Sequence, residues 1–223
     1  LVVVIAGWWI ISKGKTEAGQ APQPVDSHID APGAITIGAS GKPGSVNEGK
    51  PVVDTYFDFT CPHCYVFEQN YVPALEKAAV NGEITLVMHG VAILDPTDDH
   101  SGFSSLAADA YHEVAMRDPD HFAGLGVRLF ELTHALMEGS QPVTGNGLDQ
   151  IVQALKEHGV AEDVITDIAA GNNEKIAEKS VDAFVEAGLK GTPALMVNGV
   201  DLPIESWGDD GDDLIKAIRD QVK

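Results

Sequence analysis

The two cysteines of the chain lie three residues apart, in the segment Cys61-Pro62-His63-Cys64. If Cys61 begins a helix, positions i and i+3 share one face, and the two sulfurs are close enough to form a disulfide bond. Cys61 would lie where unpaired N–H groups and the helix dipole lower the pKa of a thiol. The spacing therefore predicts thiol–disulfide exchange, with Cys61 as the nucleophile and the less exposed Cys64 as the resolving thiol.

The residues between the cysteines bear on the direction of this chemistry. Pro62 in the first turn costs no hydrogen bond and makes the beginning of the helix rigid. An imidazolium at His63 would favour the thiolate of Cys61 over its thiol. Because stabilising the reduced form makes the disulfide a stronger oxidant, Pro-His predicts a donor of disulfides. The spacing alone does not set the direction.

Two other interpretations of the cysteine pair are weaker. A zinc site needs more ligands, and neither His89 nor His100 lies at the spacing of a zinc finger or knuckle. A purely structural disulfide across so small a loop would constrain little of the unfolded chain. We therefore predict no metal site and no cofactor.

A second motif is Thr192-Pro193, which precedes an apolar run. A proline that begins a strand after Gly-Thr is a candidate cis peptide. In the expected fold this loop faces the cysteine pair, and Thr192 would offer backbone groups to an extended substrate, as an added strand does. Asp58, three residues before Cys61, is either a proton acceptor near Cys64 or a polar residue oriented outward.

The segments around these motifs predict how they are positioned. A run rich in β-branched and aromatic residues precedes the cysteines, a helix that Pro73 kinks follows them, and a second buried strand comes next. A long helical block, a strand hairpin and a final amphipathic helix complete the chain. The bounds are 51–59, 62–80, 83–94, about 96–187, 193–203 and 212–222. Since a strand–helix–strand unit gives a parallel pair and the hairpin adds antiparallel strands, we predict an α/β fold with a mixed sheet flanked by helices.

Composition limits the classes of partner. The chain has 223 residues, of which 44% are hydrophobic, enough for one sizeable core. With 14 basic and 34 acidic residues, its formal net charge is −20. Such a surface repels the phosphates of nucleic acids and anionic lipid headgroups, so neither is an expected partner.

The N-terminal part of the chain divides into two segments. Residues 1–15 begin with an unbroken apolar run, Leu1 to Ile11, which spans about half of a bilayer core and is followed by lysines. Residues 16–32 are rich in Ala, Pro, Gly and polar types and predict a flexible linker before a domain at 33–223. We interpret residues 1–15 as a membrane anchor or the remnant of an export signal, with a buried element of the domain as the alternative. Either membrane segment would place the domain outside the cytoplasm.

The run from Phe57 to Cys64, the helical block and Gly191-Thr192-Pro193-Ala194 together resemble the DsbA-like branch of the thioredoxin superfamily, over about residues 51–223. The resemblance implies a thioredoxin-like fold with a large helical insertion at about 96–187. It implies a disulfide oxidase that introduces bonds into newly exported polypeptides and is reoxidised by a membrane redox partner. By the same resemblance His63 is the tuning residue and Pro193 the cis-proline.

Two departures from the best-known periplasmic member, the strong acidity and the threonine before the proline, leave the substrates and the reoxidising partner open. Two alternatives to the oxidase remain. One is a disulfide reductase or isomerase of the same compartment, because the scaffold supports either direction. The other is a polypeptide-binding module without redox activity, since one fold serves many functions.

Overall fold

A computed structural model describes residues 28–96, 101–137 and 147–223. Within these residues five strands form one sheet in the order β1-β3-β2-β4-β5. The strands are β1 (Ala34–Ile37), β2 (Val52–Phe57), β3 (Thr85–Gly90), β4 (Ala194–Val197) and β5 (Val200–Asp201). The pair β2–β3 is parallel, and the other three pairs are antiparallel. The predicted mixed sheet is confirmed.

Eight α-helices are described in the same part of the chain. They are α1 (Pro62–Asn70), α2 (Val72–Val80), α3 (Phe103–Arg117), α4 (Leu125–Met137), α5 (Gly147–His158), α6 (Glu162–Ala169), α7 (Ala177–Glu186) and α8 (Gly211–Gln221). The predicted helical block is present as α3 to α7, between β3 and β4. The helix after the cysteines breaks at Tyr71, two residues before Pro73.

The predicted anchor at 1–15 and most of the predicted linker at 16–32 lie outside the described residues. None of the helices in the described ranges is long and apolar enough to cross a bilayer.

Strand β2 lies in the middle of the sheet, and all six of its side chains are buried. Its alternate residues enter two apolar clusters, because successive side chains of a strand point to opposite faces. Val53 and Phe57 belong to the main core, whereas Tyr56 packs with Phe184 and Met196 in a second cluster. Such burial suits the β-branched and aromatic residues of this strand.

Aromatic contacts fix the segment after β2 to the helical block. The Phe57 ring meets the Tyr111 ring of α3 at a centroid distance of 5.9 Å. Phe59 meets Phe130 of α4 at 4.8 Å. Pairs of this kind contribute ~1 kcal/mol each beyond the area that they bury. The end of β2, from which the cysteine segment continues, is thus held by two helices of the insertion.

Candidate active site

Cys61 occupies the N-cap position of α1, as the sequence predicts. Its backbone is extended, with φ −82° and ψ 118°, and its carbonyl accepts hydrogen bonds from the N–H groups of Cys64 and Tyr65 at 3.1 and 3.3 Å. Pro62 is the first helical residue, where its missing N–H costs nothing. The sulfur of Cys61 therefore lies at the positive end of the helix.

The two thiols differ in accessibility. Both cysteines are free; Cys61 keeps 5% of its surface exposed and Cys64 keeps none. The exposed fraction of Cys61 is smaller than that expected of a residue at the N-terminus of a surface helix. An attacking thiolate can reach only Cys61, which fits the nucleophile and resolving roles predicted for the pair.

The two thiols also differ in acidity. A hydrogen bond from the Cys64 thiol lowers the pKa of Cys61 to about 6, and the backbone N–H groups of Cys64 and His63 add to this effect against the opposing effect of burial. Burial raises the pKa of Cys64 well above its usual value, and the neighbouring Cys61 raises it further. At neutral pH Cys61 is a thiolate and Cys64 keeps its proton.

The loop before β4 lies against Cys61. The Cys61 Sγ lies 3.3 Å from the carbonyl oxygen of Thr192, to which the thiol form of Cys61 donates a hydrogen bond. The Thr192–Pro193 peptide bond is cis, as predicted. Strand pairing explains the approach: Tyr56 of β2 pairs with Ala194 of β4, so the loop before Ala194 lies beside the chain that leaves β2.

Asp58 is fully buried, so the outward orientation considered from the sequence is wrong. Its carboxylate accepts four hydrogen bonds, from the N–H and hydroxyl of Thr60 at 2.8 and 2.9 Å, from the Leu94 N–H at 2.9 Å, and from the Ser104 hydroxyl. These contacts tie the cysteine loop to the segment that follows β3 and to α3.

The backbone of Asp58 also touches the redox pair. Its carbonyl accepts from the Cys61 N–H at 2.9 Å, and its N–H donates to the Cys64 sulfur, which partly offsets the raised pKa of that thiol. A carboxylate with all these partners is suited to positioning the loop. The predicted role as proton acceptor for Cys64 receives no support from this geometry.

His63 is exposed, and in the described part of the chain its imidazole makes no hydrogen bond to the Cys61 sulfur. Its backbone N–H is the group that helps to lower the pKa of Cys61. Tuning by the imidazole itself therefore stays a prediction. Pro62 is exposed beside it.

Two residues of the site region were not predicted from the sequence. Thr133 of α4 donates from its hydroxyl to the carbonyl of Phe59 at 2.6 Å, and so holds the cysteine loop from the insertion. Glu68 is buried on α1, one turn after Cys64, with 7% of its surface exposed. Its position four residues after Cys64, on the same helix face, is the sequence signal that could have indicated it.

Among the described residues there is no group of three or more His, Cys, Asp or Glu side chains that could hold a metal ion. His89, a ligand considered in the zinc alternative, contacts Asp54 at 3.0 Å between β3 and β2. His100 lies outside the described residues.

Comparisons with known proteins bear on the family of the chain. A protein-family model described as "Thioredoxin" matches residues 44–218. "Disulfide bond formation protein D" of Bacillus subtilis (strain 168) is 26% identical over 186 residues, which cover 82% of this chain and 78% of that protein.

Solved structures share the fold. MdbA, described as a thiol-disulfide oxidoreductase from Actinomyces oris, superposes with a TM-score of 0.65 at 20% identity, covering 83% of this chain and 84% of that one. Reduced DsbA from Mycobacterium tuberculosis has a TM-score of 0.60 at 24% identity, with coverage of 84% and 98%.

Proposed function

The chain belongs to the thioredoxin family, and from that premise we propose that it is a thiol–disulfide oxidoreductase that works as an oxidase, introducing disulfide bonds into exported polypeptides. The observation that carries the proposal is the state of Cys61: a helix N-cap thiol with a pKa of about 6, beside the Thr192 carbonyl and the cis-proline. The relatives named as a disulfide bond formation protein and as thiol–disulfide oxidoreductases support the same class.

The cycle begins with Cys61 and Cys64 joined by a disulfide. A substrate thiolate attacks the Cys61 sulfur, because Cys64 is fully buried. The bond between the two cysteines breaks, its electron pair goes to the Cys64 sulfur, and a proton follows. A second substrate thiolate then attacks the substrate sulfur of the mixed disulfide and releases the Cys61 thiolate. The substrate is oxidised by two electrons, and the cysteine pair is reduced by two.

Thr192 is the group that would hold the substrate during these steps. Its carbonyl already lies at hydrogen-bonding distance from the reacting sulfur, and the residue is half-buried at the edge of the site. A substrate segment in extended conformation can pair with the backbone of this loop, as an added strand does. Recognition through the backbone suits an enzyme whose substrates differ in sequence.

The acidity of Cys61 favours the oxidase direction by a modest amount. With a pKa of about 6 in place of the usual 9.0, the reduced form gains ~1.4 kcal/mol at pH 7, which raises the reduction potential by ~30 mV. Solvent screening at the edge of the site lowers this gain. This gain is small beside the ~150 mV that separates thioredoxin from the strongest disulfide oxidants.

Partners and location follow from this chemistry. Each turnover leaves a reduced pair, so an acceptor of two electrons must reoxidise it, and we propose a redox protein of the membrane. The reduced polypeptides and the oxidase would meet outside the cytoplasm. The apolar run from Leu1 to Ile11 supports anchorage of the domain to the membrane.

The test is oxidation of a reduced, unfolded protein with two cysteines by stoichiometric oxidised enzyme. We expect fast disulfide formation with the wild type and none with Cys61→Ser or Cys64→Ser, because neither variant can carry the Cys61–Cys64 disulfide. His63→Ala would show whether the imidazole contributes. Equal oxidation by wild type and Cys61→Ser, or no oxidation by either, would overturn the proposal. Capture of the polypeptide by the variant that lacks both thiols, without oxidation by the wild type, would indicate a binding module.

A further inference from the structure

The backbone N–H of Asp58 donates a hydrogen bond to the buried sulfur of Cys64. Cys64 has no exposed surface, and it is the leaving group when a thiolate attacks Cys61. Burial raises the pKa of the Cys64 thiol, the neighbouring Cys61 raises it further, and the Asp58 N–H acts against both effects. The Thr192 side chain makes the same kind of contact with a smaller effect. The Asp58 N–H is therefore placed where negative charge develops on the leaving sulfur.

The turn from Asp58 to Cys61 holds this N–H in place. The Asp58 carbonyl accepts from the Cys61 N–H at 2.9 Å, which closes the turn. The Asp58 carboxylate accepts from the N–H and hydroxyl of Thr60 at 2.8 and 2.9 Å within the same turn. From α4, the Thr133 hydroxyl donates to the carbonyl of Phe59 at 2.6 Å. Because each of these bonds restrains the backbone of the turn, together they determine the direction of the Asp58 N–H.

Helix α3 of the insertion supports the turn from outside. Ser104, the second residue of α3, is fully buried. Its hydroxyl donates to the Asp58 carboxylate and lies 2.8 Å from the Thr60 hydroxyl. Asp95 holds Ser104 in turn, because its carboxylate accepts from the Ser104 N–H at 2.9 Å. The insertion is thus connected to the leaving sulfur through Ser104 and Asp58.

We propose that the Asp58 N–H stabilises the charge on the Cys64 sulfur when the disulfide opens, and that Ser104 is a positioning residue for that N–H. The attacking thiolate forms a bond with the Cys61 sulfur, the bond between the two cysteines breaks, and its electron pair goes to the Cys64 sulfur. That sulfur then takes a proton from water. A donor aimed at developing charge in a buried site acts as the donors of an oxyanion hole do. The inference rests on the exchange chemistry of the proposed function and applies to both directions of it.

The test compares two rates in full-length Ser104→Ala and wild type. The first is the reduction of the oxidised protein by dithiothreitol, in which the Cys64 sulfur leaves. The second is the alkylation of Cys61 in the reduced protein, in which the Cys64 sulfur stays a thiol. Both are measured at pH 8, above the pKa of about 6 of Cys61, so that a small shift of this pKa does not change the alkylation rate.

We expect reduction of Ser104→Ala to be ~10-fold slower than that of the wild type, because loss of a whole oxyanion-hole donor costs ~10²- to 10³-fold and the N–H is here only loosened. Alkylation of Cys61 should keep its wild-type rate. Ser105→Ala is the matched control. Ser105 is the next residue of α3 and is also fully buried, but its hydroxyl makes no hydrogen bond within the described part of the chain. Loss of that hydroxyl should leave both rates unchanged.

Reduction of Ser104→Ala at the wild-type rate would overturn the inference. An equal change in both rates, or equally slow reduction of Ser105→Ala, would do the same, because general loosening of the site affects both reactions. If Ser104→Ala fails to fold, Thr60→Val removes the other hydroxyl that donates to the Asp58 carboxylate and is judged by the same two rates. Reduction by dithiothreitol without oxidation of polypeptides would contradict the proposed function and leave this inference standing.

Discussion

Replacing Glu68 by glutamine should change how the stability of the protein depends on pH. In the folded state burial raises the pKa of this carboxyl from 4.5 to about 8. The folded state therefore binds this proton more tightly than the unfolded state does. As a result, the contribution of Glu68 to the stability of the folded state is smallest at high pH. The free energy of unfolding should fall as pH rises from about 4.5, and the fall should end near pH 8. The total fall in the free energy of unfolding is ~5 kcal/mol, and ~3 kcal/mol of it has occurred by pH 7.

Chemical denaturation of the reduced protein at a series of pH values measures this effect. Glutamine keeps the shape but does not titrate, so the stability of Glu68→Gln relative to wild type should increase between pH 4.5 and 8. The exposed control Glu178→Gln should give a curve parallel to that of the wild type. Parallel curves for Glu68→Gln as well would refute the reasoning, because they would mean that the carboxyl is solvated in the folded protein.

Other changes test the rest of the site. Alkylation of the reduced protein should modify Cys61 alone, and its rate should be half-maximal near pH 6. Cys64→Ala should move that midpoint to higher pH, because it removes the hydrogen bond that lowers the pKa of Cys61 most. In a denaturant titration, Asp58→Ala should lower the free energy of unfolding by ~3 kcal/mol, since it leaves buried donors without an acceptor. The exposed control Asp201→Ala should change the free energy of unfolding by less than ~0.5 kcal/mol. Thr133→Val should cost ~1 kcal/mol by removing the bond to the backbone before the cysteines. An unchanged midpoint of alkylation in Cys64→Ala would contradict the account of Cys61 acidity.

The features that the sequence predicted well are local ones. The cysteine spacing and Pro62 sufficed to place Cys61 at the beginning of a helix, because capping depends on adjacent residues. The mixed sheet followed from the order of its elements. The cis bond before Pro193 was predicted from the Gly-Thr-Pro motif in the context of the cysteine pair.

The features that the sequence left open depend on distant contacts. The orientation of Asp58 is decided by Leu94 and Ser104, 36 and 46 residues away in the chain. Glu68 is buried because α3 and α4 cover its side of α1, and a glutamate in a helix usually faces solvent. Such burial can be seen only when the helices of the insertion are packed in place.

The measurement that tests the central claim most directly is the reduction potential of the Cys61–Cys64 pair, determined by equilibration with glutathione at pH 7. A thiolate stabilised in the reduced form predicts a potential above the ~−270 mV of thioredoxin. A potential at or below that of thioredoxin would contradict the account, because the pair would then keep a disulfide that it is proposed to give away.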